Sequence, residues 1–136
     1  MNTATVENER AEVLNLAPIE LPTFSARVSL AHGVIAVAMS GNADVKAQDV
    51  LETFLSALHA EAARLRVSVA ELDCRQLQFM NSCCLKALVS WIGAVQDGPL
   101  EQQYQILFLS SPRLAWQKRS FRALSCFAPQ LVVVQQ

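Results

Sequence analysis

The apolar positions of this chain change period several times, and each change marks an element. Phe24, Ala26, Val28 and Leu30 alternate with Ser25, Arg27 and Ser29, the period of two of a half-buried strand. Ala31-His32-Gly33 follows as a short turn in which glycine supplies a positive φ. Val34 to Met39 is apolar at every position, which suits a central strand better than an edge, and the two strands are expected to form a hairpin. Ser40-Gly41-Asn42-Ala43-Asp44 reads as a loop that ends in a good helix cap, Asp44. Leu51, Phe54, Leu55, Leu58, Ala62 and Leu65 then recur at helical spacing, with Glu52, Ser56, Glu61 and Arg64 on the other side. Val67 to Leu72 is a third strand. A second helix, capped by Asn81 or Ser82, carries Leu85, Leu88, Val89, Ile92 and Val95 on its buried face and ends at Gly98-Pro99. Tyr104 to Leu109 is a fourth strand. Ser111-Pro112 opens a third helix that runs toward Phe127 and stops at Pro129, and Leu131 to Val134 forms a fifth strand.

The order is therefore ββαβαβαβ. Strands that alternate with helices imply crossover units, so the expected fold is α/β, with a mixed, mostly parallel five-stranded sheet and helices packed against it. Residues 1–22 are polar, acidic and without a sustained period, and are expected to form a flexible tail. Residues 23–136 are expected to form one domain.

Composition narrows the function. The chain has 136 residues, 52% of them hydrophobic, 17% charged, with a net charge of −1. That is enough apolar material for one core, and it lacks the basic balance of a nucleic-acid binder. No apolar run approaches the roughly 18 residues of a membrane helix. The N-terminus has no basic start followed by an apolar stretch, so the expected location is the cytoplasm and the four cysteines are expected to be reduced. There is no glycine-rich phosphate loop, dinucleotide fingerprint or metal-binding His pair, so neither a cofactor nor a metal is expected. His32 sits in a turn and His59 on a surface-leaning helix position, neither beside an orienting acid, which argues against a catalytic Cys/His pair.

In open α/β sheets working groups gather where strands end and helices begin. Two such places stand out: Ser40 to Asp44, and Asp73 to Cys84. The second place, with its flanks, reads Val69-Ala70-Glu71-Leu72-Asp73, then Leu77, Phe79-Met80-Asn81-Ser82, then Leu85 and Ala87-Leu88. It resembles the signature of STAS domains, shared by sulfate transporters and anti-sigma factor antagonists: a strand ending in Leu-Asp, a hydrophobic pair, then Asp-Ser-Ser/Thr-Gly at a helix start. Gly41-Asn42-Ala43-Asp44 resembles the Gly-x-x-Asp before the first helix of that family. With the element order, the resemblance spans about residues 23–136. The sequence departs from the pattern at three positions: Asn81 stands for Asp, Cys83 for the second hydroxyl residue and Cys84 for Gly.

The resemblance implies a non-catalytic module that switches partners. Unphosphorylated antagonists bind a kinase-type anti-sigma factor, and phosphate at the helix start breaks that complex. Ser82 is the one hydroxyl left to accept phosphate, against a plain helix-capping role. The implied contact surface comprises Ser40, Gly41, Asn42, Asp44, Asn81, Ser82, Cys83, Cys84 and Lys86. The implied partner is a kinase-type anti-sigma factor or another regulatory protein, with a second copy of the chain as a further option. An alternative is a scaffold or oligomerising subunit without the phosphoswitch. A third reading makes Cys83 and Cys84 reactive thiols at a helix N-terminus, against an ordinary role as small buried hydrophobes. Cys126 is expected in the core. Arg113, Lys118, Arg119 and Arg122 are expected on a solvated face, and Trp91 and Trp116 in packing.

Overall fold

The computed structural model describes residues 13–136. Its strands are β1 (Ile19–Glu20), β2 (Phe24–Ala31), β3 (Val34–Ala43), β4 (Val69–Met80), β5 (Gln105–Leu109) and β6 (Val132–Gln135). Its helices are α1 (Gln48–Leu65), α2 (Ser82–Asp97) and α3 (Ala115–Phe127), with a short 3-10 turn at Leu100–Gln102. The sheet order is β1-β2-β3-β4-β5-β6: antiparallel from β1 to β3, parallel from β3 to β6. The expected α/β fold is therefore present, with six strands in place of five. The extra strand is β1. It is two residues long, between Pro18 and Pro22, too short to show a period, and Ile19 turns into the core while Glu20 faces out.

Residues 13–22, which fall in the expected flexible tail, are thus built into the domain, and residues 1–12 lie outside the described residues. Glu61 and Arg64 on α1 fix this stretch. Glu61 Oε1 accepts from the Asn15 amide (2.6 Å), Arg64 Nη2 donates to the Val13 carbonyl (2.7 Å), and the two side chains pair with each other.

The strands run in spatial order, so each right-handed crossover steps the same way and all three helices land on one face of the sheet. That face holds the core. Ile35, Val37 and Met39 of β3, Leu72 and Leu77 of β4, and Ile106 and Phe108 of β5 are fully buried. They meet Leu51 and Leu58 of α1, Leu88 and Ile92 of α2, and Phe121 of α3. Phe108 stacks on Phe121 with ring centroids 4.7 Å apart. The β2–β3 hairpin turns on His32 and Gly33, both at positive φ, as a two-residue hairpin loop demands. Among the described residues no helix is long and apolar enough to cross a membrane.

Four boundaries differ by several residues from the expected ones. β3 runs on through Ala43, and α1 begins at Gln48, because Asp44 caps a turn and not the helix: its Oδ1 accepts from the Lys46 amide (3.0 Å). Ser111 does the same before α3, accepting from the Arg113 amide (3.3 Å), and the helix starts only at Ala115. β4 extends to Met80, eight residues past the expected end at Leu72. Its pairing with β3 skips twice, Ala38↔Asp73 to Ser40↔Gln76 and Gly41↔Leu77 to Asn42↔Phe79, so β4 carries an extra residue at each place. These bulges break the period of two and make a strand look like a polar loop. Cys126, expected in the core, is exposed near the end of α3.

Gly41 is where β3, opposite the bulges of β4, presses on the preceding chain. Its φ is +92°, and a Cβ there would lie 2.1 Å from the Thr23 carbonyl oxygen, which accepts from the Asn42 amide (2.7 Å). Both the left-handed backbone and the contact exclude a side chain. Gly41→Ala is expected to cost at least about 2 kcal/mol. Thermal melting should show a fall of several degrees; an unchanged midpoint would contradict this role.

Candidate functional site

The carboxyl ends of β3 and β4 and the start of α2 meet at one end of the sheet. The Asn81 amide donates to the Ala43 carbonyl (2.9 Å), which ties the β4–α2 junction to the end of β3. Asn81 is extended (φ −76°, ψ 170°) and its Oδ1 accepts from the Cys84 amide (2.8 Å), so it is the cap of α2. Ser82 is the first helical residue and its side chain is exposed. Of the amides that open a helix, Asn81 and Cys84 are thereby satisfied within the protein. Those of Ser82 and Cys83 precede the first intrahelical bond, from Leu85 to the Asn81 carbonyl, and point out of the helix end. A free pair of amides and the helix dipole make this end receptive to negative charge.

Around Ser82 the surface is mixed. Asp44, Lys46 and Lys86 bring one acid and two cations that have no ion-pair partner among the described residues. Asn42 is exposed beside Phe79, its register partner on β4. Phe79 is 48% exposed and Val45 71% exposed, so apolar surface lies three residues before Ser82 and just after the end of β3. Neither was expected as a contact residue: Phe79 counted only as part of the hydrophobic pair before the helix, and Val45 follows the loop that was expected to end at Asp44.

The other expected contact residues separate from this cluster. Ser40 lies on the uncovered face of the sheet, where its hydroxyl is 2.7 Å from that of Ser25. Gly41 is enclosed by Thr23 and Phe24. Cys84 is fully buried, and its Sγ donates to the Asp44 carbonyl (3.7 Å), so it offers no side chain to a partner. Burial, with smaller contributions from Cys83, Asp44 and Glu52, pushes the Cys84 thiol up to about 11, the opposite of an activated thiolate. Burial also raises the Cys74 thiol, deep in β4. Cys83 is half-buried.

What aims this site is a contact from α3 that the sequence did not announce. β5 reaches only as far as Asp73 on β4, so the far part of β4 has an edge without a neighbouring strand. Gln117, fully buried, fills the gap: its Nε2 donates to the carbonyls of Cys74 (2.6 Å) and Leu77 (3.0 Å), and its Oε1 accepts from the Ser111 amide (2.8 Å). Trp116 Nε1 donates to the Gln78 carbonyl (2.8 Å). On the outer side of the same stretch Arg75 clasps Asp73 with two bonds (2.8 and 2.7 Å), which holds the Asp73 carboxyl below the usual range.

A groove of about 340 Å³ between α1 and α2 begins about one turn from Ser82, lined by Glu52, Leu55, His59, Ala87, Ser90 and Trp91. His59 is no free base there. Its Nδ1 shares a hydrogen bond with the Tyr104 hydroxyl (2.8 Å), which accepts from Trp91 Nε1 (3.0 Å), and burial lowers its pKa. Among the described residues no group of three or more His, Cys, Asp or Glu is placed to hold a metal.

A six-stranded mixed sheet with its three helices on one face, and a helix starting beside the ends of two parallel strands, is a STAS-like fold. A crystal structure of an anti-sigma factor antagonist from Mycobacterium paratuberculosis matches with TM-score 0.62 and 18% identity, over 86% of this chain and 90% of that one. SpoIIAA, a Bacillus cell fate determinant, in its phosphorylated form matches with TM-score 0.53 and 16% identity, over 82% of this chain and 91% of that one. At such identities the likeness carries the fold. No protein-family model matches the sequence, and no curated protein does.

Two measurements check the local account. Gln117→Leu removes three hydrogen bonds and strands two carbonyls and one amide, and should cost about 3 kcal/mol or more in denaturant unfolding; a loss below about 1 kcal/mol would show that the contact is incidental. In native protein, alkylation should mark Cys126 first and Cys83 more slowly, with Cys74 and Cys84 modified only on unfolding. Fast labelling of Cys84 would contradict its burial.

Proposed function

We propose that this chain is a non-catalytic regulatory module that binds a protein partner through the surface around the start of α2, and that phosphate on Ser82 switches the contact. The observation that carries the reading is the exposed Ser82 hydroxyl beside two uncommitted amides, at the edge of exposed Phe79 and Val45. The neighbours in fold, one named as an anti-sigma factor antagonist and the other recorded in a phosphorylated form, support it. The contact residues are Asn42, Asp44, Val45, Phe79, Asn81, Ser82, Cys83 and Lys86. The partner is a kinase-type anti-sigma factor or another regulatory protein. The setting is the cytoplasm, in keeping with four free cysteines.

The switch is electrostatic. A phosphate adds about −1.5 to −2 charges at the centre of the contact. The helix end can hold it in the free protein, but a partner shaped for a neutral hydroxyl must then bury or repel it. Lys86, one turn further along α2, supplies a complementary charge for an acidic partner. Replacement of the family's Asp by Asn81 keeps the cap and removes a charge that would oppose the phosphate.

Replacement of Gly by buried Cys84 favours a second reading, a scaffold that keeps the contact surface without the switch. Capture from the source organism separates the two. Wild type should retain a regulatory protein that Ser82→Asp and Lys86→Glu each lose at least about tenfold, as expected for a charge placed in an interface. Mass spectrometry should find phosphate on Ser82 in some growth condition. Capture unaffected by either substitution would overturn the proposed surface. Capture with Ser82 unmodified under every condition would favour the scaffold.

A further inference from the structure

The two edges of the sheet are unlike. β1 is two residues long and sits between Pro18 and Pro22, which blunts it as a template for another strand. β6 ends the sheet on the other side with no proline and no charge in its sequence. The carbonyls of Leu131 and Gln135 turn toward β5 and accept from the amides of Ile106 (2.8 Å) and Ser110 (2.7 Å). Backbone groups alternate between the two sides of a strand, so those of Val133 also turn toward β5. The Val132 carbonyl and the Val134 amide and carbonyl therefore face outward. Among the described residues no strand pairs with that edge.

α3 flanks this edge with positive charge. Gln117, Phe121 and Leu124 point into the core. A Cβ on Gly93 of α2 would meet the Phe127 ring at 3.9 Å, and Trp116 bonds to Gln78 on β4, so that side of α3 faces α2 and β4. At 3.6 residues per turn, Lys118 stands half a turn round from Phe127, and Arg122 more than a third of a turn, both on the β6 side. Arg119 stands opposite the core. All three are exposed and have no ion-pair partner among the described residues. Acids are absent here by sequence, since all 12 lie at or before Glu101. Glu71 and Asp73 on β4 are two strands away from β6, on the sheet face opposite α3.

We infer that the open edge of β6 takes up an extended acidic segment of a protein partner as a further parallel or antiparallel strand, with its carboxylates on the Lys118–Arg122 stripe. The spacing fits. Alternate residues of a strand lie about 6.8 Å apart on one face, and Lys118 and Arg122 are about 6 Å apart along the helix axis. Glutamates at every second position thus meet successive cations. Main-chain hydrogen bonds to Val132 and Val134 hold the strand, and the charges select it. A nucleic acid cannot offer the alternating donors and acceptors that this edge lacks, and no aromatic side chain stands between the cations to stack on bases. The inference does not rest on the surface around Ser82, and either can fail without the other.

Fluorescence anisotropy of the full chain with a labelled peptide, glutamate at every second position and threonine between, tests it. The peptide should bind. Lys118→Glu combined with Arg122→Glu should weaken binding at least about tenfold, and a peptide with lysine in place of glutamate should restore it to that variant. Lys118→Gln with Arg122→Gln gives a milder variant should the first not fold, as melting curves will show, and it too should bind the glutamate peptide more weakly. N-methylation of the peptide backbone on the side that meets β6 should also cost at least about tenfold, because it removes the edge hydrogen bonds and keeps the charges. The Val134 amide should exchange more slowly in the complex. No binding up to about 1 mM peptide would overturn the inference. So would binding indifferent to N-methylation, which is charge attraction alone, or an oligothymidylate that binds the stripe more tightly than the peptide.

Discussion

The far half of β4 extends past the end of β5, and the structure depends on how that loose edge is held. A strand edge buried without partners is costly, because each unpaired carbonyl loses its hydrogen bonds to water. Here the cost is removed by side chains and not by another strand. Gln117 bonds to the carbonyls of Cys74 and Leu77, and Trp116 to that of Gln78. Because Gln117 also accepts from the Ser111 amide, the start of α3, the end of β5 and the overhang of β4 are fixed to one another. The overhang leads directly into Asn81, so the position and direction of α2 follow from this contact.

The periodic elements were legible because each buries a face of constant spacing. The hairpin, the closing strands and most of the apolar stripes of α1 and α2 follow from that rule, though Val89, expected on the buried face of α2, is exposed, and Glu61, expected on the outer side of α1, is buried. What escaped it was structure made by irregular pairing. Arg75, Gln76 and Gln78 look like a loop, yet two bulges let them face outward from a strand while Leu77 and Met80 face inward. β1 was hidden by its length. Asp44 and Ser111 are good caps by residue type, but each caps a turn that comes before its helix. Cys126 looked like core because free cysteine usually is, but it lies on the exposed side of α3.

The site was legible in outline for a similar reason. Ser82 and Asn81 could be placed at a helix start from cap chemistry alone. Their neighbours in space could not, since Gln117 lies 35 residues further along the chain and no local pattern marks a buried glutamine as a clip. Cys84 was grouped with Ser82 by nearness in sequence, and Ser40 by its place in a loop between a strand and a helix. The fold turns Ser40 onto the uncovered face of the sheet and Cys84 into the core. What remains around Ser82 is a rigid helix end with two free amides, a pair of cations and exposed apolar side chains. Negative charge could be added there without rebuilding the fold.

That last property can be measured on the isolated protein. Phosphoserine incorporated at position 82 should move the amide proton resonances of Ser82 and Cys83 downfield as the dianion forms, with the phosphate titrating below its ordinary value of about 6. Resonances of the β4 overhang and of Gln117 should stay where they are. Amides at 82 and 83 that do not respond, or shifts spread through β4 and α3, would contradict a pre-formed helix end poised to receive the charge.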